Sequence, residues 1–350
     1  MTAASAVPGI RRRTRRRTRR LGVEAAGCAV AALCVVTAAP AVADGGRGGA
    51  KPTIVLVHGA FADGSSWNGV IERLERKGYT VMAPANPLRG LYSDSAYIAS
   101  VLKTVKGPVV LAGHSYGGAV ISTAAAGNPQ VKSLVYVSAL MPDVGESGMS
   151  LSARFPSALG TATTSVPYRA GGVSGTDLYL KRDKVHPVFA ACLPAGEANL
   201  LAVTQRPAAT TAFSEKAKAA AWKDIPSWAL VGRQDMTINP EQERFEAKRA
   251  HSHTVEIDTC HVSLVARPDA VADLILQAAT ATATTAATAT NTTATATNTT
   301  ATDPAHPTLA TTGTPGRGAQ AITLGGIAGA SVAAGSAVVL LGRRLRHRTH

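Results

Sequence analysis

One short segment of the chain combines a reactive side chain with the backbone that such a side chain needs. An apolar run that begins at Val109 ends in Gly-His-Ser-Tyr-Gly at residues 113–117, and an alanine-rich stretch follows. This pattern is typical of a sharp strand-to-helix turn that holds a serine hydroxyl clear of a sheet. A Cβ at either glycine would collide with so tight a turn. The segment therefore predicts that Ser115 is a nucleophile in acyl transfer.

A serine nucleophile needs an imidazole to accept its proton and a carboxylate to hold that imidazole. Asp235 and His261 each follow an apolar run near the carboxyl end of the chain's folded region, in the order acid and then base. In a parallel sheet both would lie at the edge where Ser115 lies. We predict Asp235 as the acid and His261 as the general base. Asp143 and Asp258 stay open as alternative acids.

The oxyanion of an acyl-transfer reaction needs two backbone N–H donors. Tyr116, directly after the serine, is predicted to supply one of them. The loop that begins His58-Gly59 is predicted to supply the other through the amide of Ala60, with the amide of Phe61 as the alternative. In this interpretation Gly59 lets the loop fold closely, and the His58 side chain anchors the loop by hydrogen bonds.

Two side chains are predicted to contact substrate. Phe61 lies in the proposed oxyanion loop, and His186 lies in a long segment rich in Ala, Pro and Thr. His114 is expected to face away from the site. Apolar side chains of the same long segment are predicted to wall a pocket for a small apolar group: Phe155, Tyr168, Tyr179, Phe189 and Leu200.

Short apolar runs alternate with longer amphipathic ones between residues 44 and 279. The strand candidates are 53–58, 80–84, 108–113, 133–139, 227–232 and 253–257, and the helix candidates are 66–77, 94–106, 117–127, 240–250 and 268–279. This alternation predicts an α/β domain with a mostly parallel six-stranded sheet and helices on both faces. Residues 141–222 interrupt the alternation and are predicted to form an inserted cap over the site.

These motifs together resemble the α/β-hydrolase family, and especially its small serine esterase branch. The resemblance rests on Val-Leu-Val-His-Gly-Ala at residues 55–60, the serine motif, Asp235 and His261. That branch includes bacterial carboxylesterases, plant methyl-salicylate esterases and hydroxynitrile lyases. The lyases carry Thr in place of Gly59 and Lys in place of Val262, so the residues present favour ester hydrolysis.

The resemblance implies hydrolysis of a small-molecule ester through an acyl-enzyme, with no metal and no cofactor. Two alternatives remain open at this stage. One is a cofactor-free perhydrolase or haloperoxidase-like enzyme that uses the same three residues. The other is a non-catalytic binding protein on a hydrolase scaffold.

The charge of the chain is concentrated near its ends. The formal net charge is +14 for 350 residues, but residues 44–312 contain 23 Lys plus Arg against 21 Asp plus Glu. A nearly neutral central region argues against nucleic-acid binding. That region has two cysteines, Cys192 and Cys260. A disulfide between them would join the cap to the histidine loop, and two separate thiols are the alternative.

Residues 1–43 have the three parts of a secretory signal peptide. Eight arginines lie in residues 11–20, an apolar stretch covers 25–36, and Ala-Val-Ala at 41–43 offers a cleavage site. We therefore expect export, by either the general or the twin-arginine route.

The carboxyl-terminal residues resemble a bacterial cell-wall sorting signal. An Ala/Thr-rich linker is predicted at 280–308, and the signal at 309–350 contains Leu-Ala-Thr-Thr-Gly at 309–313, an uncharged span at 321–342 and a basic tail. The resemblance implies that a sortase cuts between Thr312 and Gly313 and joins Thr312 to peptidoglycan. A permanent transmembrane helix at 321–342 is the alternative. In both cases we expect the domain outside the cell.

Overall fold

The computed structural model describes residues 51–297, with side chains through residue 284. The predicted signal peptide and sorting signal lie outside these residues. The strands are β1 Thr53–Val57, β2 Val81–Met82, β3 Val109–His114, β4 Val131–Val137, β5 Thr163–Ala170, β6 Val173–Leu180, β7 Ala208–Ala209, β8 Ser227–Gly232 and β9 His253–Ile257. The helices are α1 Asn68–Arg76, α2 Leu91–Leu102, α3 Tyr116–Ala124, α4 Gly148–Arg154, α5 Leu159–Ala162, α6 Arg182–Lys184, α7 Ala195–Thr204, α8 Thr210–Ser214, α9 Pro240–Arg249, α10 Ser263–Ala266 and α11 Pro268–Thr297.

Six of the strands form a central sheet in the order β2-β1-β3-β4-β8-β9, and every neighbouring pair is parallel. Parallel sheets are covered on both faces, so their strands are continuous apolar runs. Successive residues of β1 show the two faces. Ile54 packs in a cluster with residues of α1 and α11, whereas Val55 packs in a cluster with residues of α2 and α3. The predicted fold class is confirmed.

The chain between β4 and β8 forms the cap, which has its own three-stranded antiparallel sheet in the order β5-β6-β7. The hairpin of β5 and β6 turns at Gly171 and Gly172, whose φ angles of 56° and 82° are in the left-handed region that favours glycine. Helices α4 to α8 belong to the same segment, and α8 packs against β6 and β7. The sequence predicted a cap at 141–222 but no sheet within it.

Helix α11 is longer than its candidate, 268–279, and continues into the segment predicted as a linker. Thr282 is buried, and its Oγ1 lies 2.7 Å from Ser133 Oγ on β4. Alanine has the highest helix propensity, so a helix already packed on the sheet propagates readily into an Ala-rich stretch. The packed domain therefore extends past residue 279. Within residues 51–297 no helix has the length and apolar character needed to cross a membrane.

Candidate active site

Ser115 lies at the turn between β3 and α3 with a backbone conformation that is rare for a side-chain-bearing residue. Its φ is 54° and its ψ is −126°. The two flanking glycines permit the turn, because a Cβ on Gly113 would come within 2.6 Å of the Gly117 carbonyl oxygen. A Cβ on Gly117 would come within 2.5 Å of the Val57 carbonyl oxygen. The strained turn that the sequence predicted is present, and it holds the serine hydroxyl at the carboxyl edge of the sheet.

The three residues predicted as nucleophile, base and acid lie in one line of hydrogen bonds. Ser115 Oγ is 2.9 Å from His261 Nε2, and His261 Nδ1 is 2.6 Å from Asp235 Oδ2. The second oxygen of Asp235 accepts the backbone N–H groups of Thr237 at 2.7 Å and Ile238 at 2.9 Å. These donors satisfy a carboxylate that is only 2% exposed. The arrangement can transfer a proton from the serine to the imidazole while the carboxylate orients the ring.

The alternative acids lie elsewhere. Asp258 is exposed and forms an ion pair with Arg233 at 2.7 Å, and this hydrogen bond lowers the pKa of its carboxyl group. Asp143 forms an ion pair with Lys223 at the edge of the cap. Neither carboxylate has a hydrogen bond to His261 among the described residues.

His58 fixes the loop that faces the serine. Its Nε2 accepts the backbone N–H of Asn86 at 2.9 Å, so its Nδ1 carries the proton and donates to the Gly59 carbonyl at 2.9 Å. The Asn86 side chain completes the contact by donating to the His58 carbonyl at 3.0 Å. Burial lowers the pKa of the His58 imidazole, which agrees with a neutral ring that anchors the loop.

The loop and the helix start that are predicted to supply the oxyanion donors both adjoin Ser115. A Cβ on Gly59 would come within 2.6 Å of Ser115 Cβ, which shows how closely the Ala60 loop packs against the serine turn. Tyr116 is the first residue of α3, so its N–H has no acceptor within the helix and is available to an oxyanion. Its hydroxyl donates to Asp94 at 2.8 Å, which fixes the ring on the far side of the helix start.

His114, which sequence reasoning expected to face away, instead supports the histidine loop. Its Nε2 lies 3.0 Å from the His261 carbonyl oxygen, and its ring centroid is 4.8 Å from that of His261. Because a carbonyl only accepts, Nε2 carries the proton and the ring is neutral. Burial lowers the pKa of His114 well below its usual range. The only sequence signal for this role was the position of His114 directly before the serine.

An apolar cavity of about 320 Å³ lies within the cap, and Phe61 is the lining residue that comes from outside the cap. Phe61 contacts Phe189 edge-on at 6.2 Å between ring centroids, and Phe189 lies 5.2 Å from the His261 ring. These rings lie between the cavity and the imidazole, and neither Ser115 nor His261 lines the cavity. Its other walls include residues from α4, α5, β6 and α8 that the sequence did not single out, namely Met149, Leu159, Leu178 and Phe213.

Several predicted substrate contacts are not at this cavity. His186 is on the cap surface, where its Nε2 bonds the Leu193 carbonyl at 3.1 Å. Phe155 packs instead against Phe245 at 5.4 Å, and Leu200 is 64% exposed. Tyr168 and Tyr179 belong to the cap hairpin and do not line the cavity. Of the residues predicted to contact substrate or to wall the pocket, only Phe61 lines this cavity.

Cys192 and Cys260 form a disulfide across 68 positions of sequence. The bond joins the cap to the residue that precedes His261, as the first of the two sequence hypotheses stated. Across residues 51–297 the structure has no group of three or more His, Cys, Asp or Glu side chains placed to hold a metal ion.

The fold and the Ser–His–Asp line define an α/β protein with the architecture of a hydrolase. The chain belongs to the alpha/beta hydrolase family, whose model matches residues 54–274. It is similar to the alpha/beta hydrolase nvfD of Aspergillus novofumigatus, with 27% identity over 253 residues that cover 65% of this chain and 97% of that relative.

Two further proteins are similar over different extents. The carbendazim hydrolyzing esterase of a Nocardioides species is 34% identical over 110 residues, which cover 28% of this chain and 46% of that enzyme. Among solved structures, polyneuridine aldehyde esterase superposes with a TM-score of 0.58 at 19% identity, covering 65% of this chain and 99% of its own. The similarity to polyneuridine aldehyde esterase shows a shared fold alone.

Proposed function

We propose that this protein is a serine carboxylesterase that hydrolyses small, uncharged esters through an acyl-enzyme. The contact of Ser115 with His261, and of His261 with Asp235, carries the proposal. Relatives that are hydrolases and esterases support the same reaction class.

In the proposed reaction Ser115 Oγ attacks the ester carbonyl while His261 Nε2 takes the hydroxyl proton. The Asp235 carboxylate stabilises the resulting imidazolium. The amides of Ala60 and Tyr116 stabilise the negative oxygen of the tetrahedral intermediate. The imidazolium then protonates the departing alcohol. In the second half of the reaction His261 takes a proton from water, hydroxide attacks the acyl carbonyl, and Ser115 Oγ leaves with that proton.

The cavity supports an apolar, uncharged substrate group. None of its lining side chains is charged, and aromatic and aliphatic side chains make up most of its wall. A charged acyl or alcohol group placed there would lose its hydration without a partner. A volume of about 320 Å³ is at the small end of ligand pockets, which favours a short acyl chain or a single ring.

The test is hydrolysis of p-nitrophenyl esters of increasing acyl length by the protein and by its Ser115→Ala variant. Loss of activity with unchanged circular dichroism supports the proposal. Equal activity of the two proteins would overturn the role of Ser115, and no hydrolysis by either protein would favour a non-catalytic binding protein. Peroxide-dependent bromination exceeding ester hydrolysis would favour the perhydrolase alternative.

We further propose that the domain is displayed on the cell wall. The support is the signal-like segment at 1–43 and the sorting-signal pattern at 309–350. The disulfide agrees with an oxidising location. The test is fractionation of a sortase-positive host that expresses the wild type or a deletion of residues 309–313. Release of the wild type alone by wall digestion supports display, whereas recovery of both proteins in the membrane fraction would contradict it.

A further inference from the structure

A buried carboxyl group that the proposed reaction does not use lies directly behind the acid of the triad. Glu243 is on α9, is 3% exposed, and accepts the backbone N–H of Gly232 at 3.1 Å through Oε2. Its other oxygen, Oε1, is buried and receives no hydrogen bond from any donor of residues 51–284. The two acidic residues meet at Gly232, because Glu243 accepts the N–H of Gly232 and the backbone N–H of Asp235 donates to the Gly232 carbonyl at 3.0 Å.

Two neighbouring buried carboxyl groups cannot both be ionised, because the repulsion adds to the cost of removing two charges from water. The donors around them show which group keeps the charge. Asp235 faces three N–H groups, from Thr237, Ile238 and the His261 ring, whereas Glu243 has one, from Gly232. The pair therefore holds one negative charge, on Asp235, and one proton, on Glu243.

Burial, and next to it the charge of Asp235, raises the pKa of the Glu243 carboxyl well above its usual range. Glu246, one turn further along α9, faces the same interior and adds to this effect. Burial also raises the pKa of Glu246, to about 8. Glu246 accepts the backbone N–H of Met141 and does not bond Asp235.

We propose that Glu243 is a neutral carboxylic acid that donates a hydrogen bond to Asp235 and acts as a positioning residue for the triad. No proton leaves Glu243 during the reaction. Its hydrogen bond holds the Asp235 carboxylate toward His261, and the carboxylate in turn orients the imidazole. The catalytic consequence rests on the proposed function, but the protonation state of Glu243 does not.

The protonation state is tested by infrared spectroscopy of the full protein at neutral pH. Glu243→Gln keeps an acceptor for Gly232 and a donor for Asp235 while removing the carboxylic acid. The wild-type minus variant difference spectrum is expected to contain the C=O band of a protonated carboxyl group. Glu246→Gln is the matched control, because it removes a different buried acid and should leave the Glu243 band in place. Absence of the Glu243 band would overturn the proposal.

The positioning role is tested by replacing Glu243 with Met, which has a similar length and no donor. Loss of one hydrogen bond to a charged group is expected to lower kcat/KM about tenfold. The loss is expected in kcat and not in KM, and Glu243→Gln is expected to restore kcat. Equal effects of the Met and Gln variants, or an unchanged kcat in a folded Met variant, would overturn the role.

These measurements separate the inference from the proposed function. If the protein proved to have no esterase activity, the infrared band would still report the protonated Glu243 carboxyl group. If the esterase activity held but the infrared band were absent, only the present inference would fail.

Discussion

The disulfide between Cys192 and Cys260 attaches the cap to the histidine loop one residue before His261. Cys260 is buried beside the imidazole, whereas Cys192 is on the exposed side of the cap. The cap and the general base are therefore covalently connected, so a change in the position of one affects the other.

We expect Cys192→Ser to destabilise the protein by about 2–4 kcal/mol, because the bond closes a long loop in the unfolded chain. The measurement is denaturant unfolding with and without reductant. Reductant should bring the wild type to the stability of the variant and leave the variant unchanged. Equal stability of the wild type in both conditions would show that the bond contributes nothing.

The identity of the acid can be decided by comparing two aspartates near the histidine loop. Asp235→Asn places an amide against His261 and should favour the wrong tautomer of the ring, with a loss in kcat of about 10⁴-fold. Asp258→Asn removes only an exposed ion pair with Arg233 and should change kcat less than about twofold. Steady-state kinetics on one p-nitrophenyl ester provide the comparison. The reverse order of effects would reassign the acid.

The cavity wall should set the preference for acyl length. Phe213 lines the cavity and stacks on Phe61 at 6.4 Å between ring centroids, so Phe213→Ala enlarges the space available to the acyl group. We expect the ratio of kcat/KM for long over short acyl chains to rise about tenfold. Phe155→Ala is the matched control, because that cap ring packs on Phe245 away from the cavity. An equal change in both variants would show that the cavity does not bind the acyl group.

Stability should decrease as the pH rises through the range in which Glu246 ionises. Burial raises the pKa of this carboxyl to about 8 in the folded protein, above its ordinary value of 4.5 in the unfolded chain. Between these values the folded state binds the extra proton, so the stabilisation is complete below about pH 4.5 and is lost as the pH approaches 8.

The free energy of unfolding should fall by at most about 1.4 kcal/mol per pH unit for this group. Glu246→Gln retains an acceptor for the Met141 amide and removes the ionisation. The free energy of unfolding of the variant, relative to that of the wild type, should therefore increase as the pH rises. The measurement is denaturant unfolding of both proteins at several pH values. A difference that is constant with pH would contradict this.

Much of the central architecture could be predicted because its signals are local. Buried parallel strands are continuous apolar runs, and the strand candidates 227–232 and 253–257 agree with the observed β8 and β9. The strained turn at Ser115 was predictable for the same reason, since each of its two glycines is only two positions from the residue that they accommodate. Chain order then placed Asp235 and His261 at the ends of strands.

The cavity and the groups behind the triad depended on contacts between distant segments. Phe213 reaches the cavity only because α8 and the cap hairpin pack together, whereas aromatic residues chosen by composition, such as Phe155, pack elsewhere. Helix α9 has the sequence Pro-Glu-Gln-Glu-Arg-Phe-Glu-Ala-Lys-Arg, which indicates a solvated surface, yet Glu243 and Glu246 are buried against the sheet. Local sequence specifies which strands and turns form, but the environment that makes a carboxyl group neutral arises only when other segments exclude water from it.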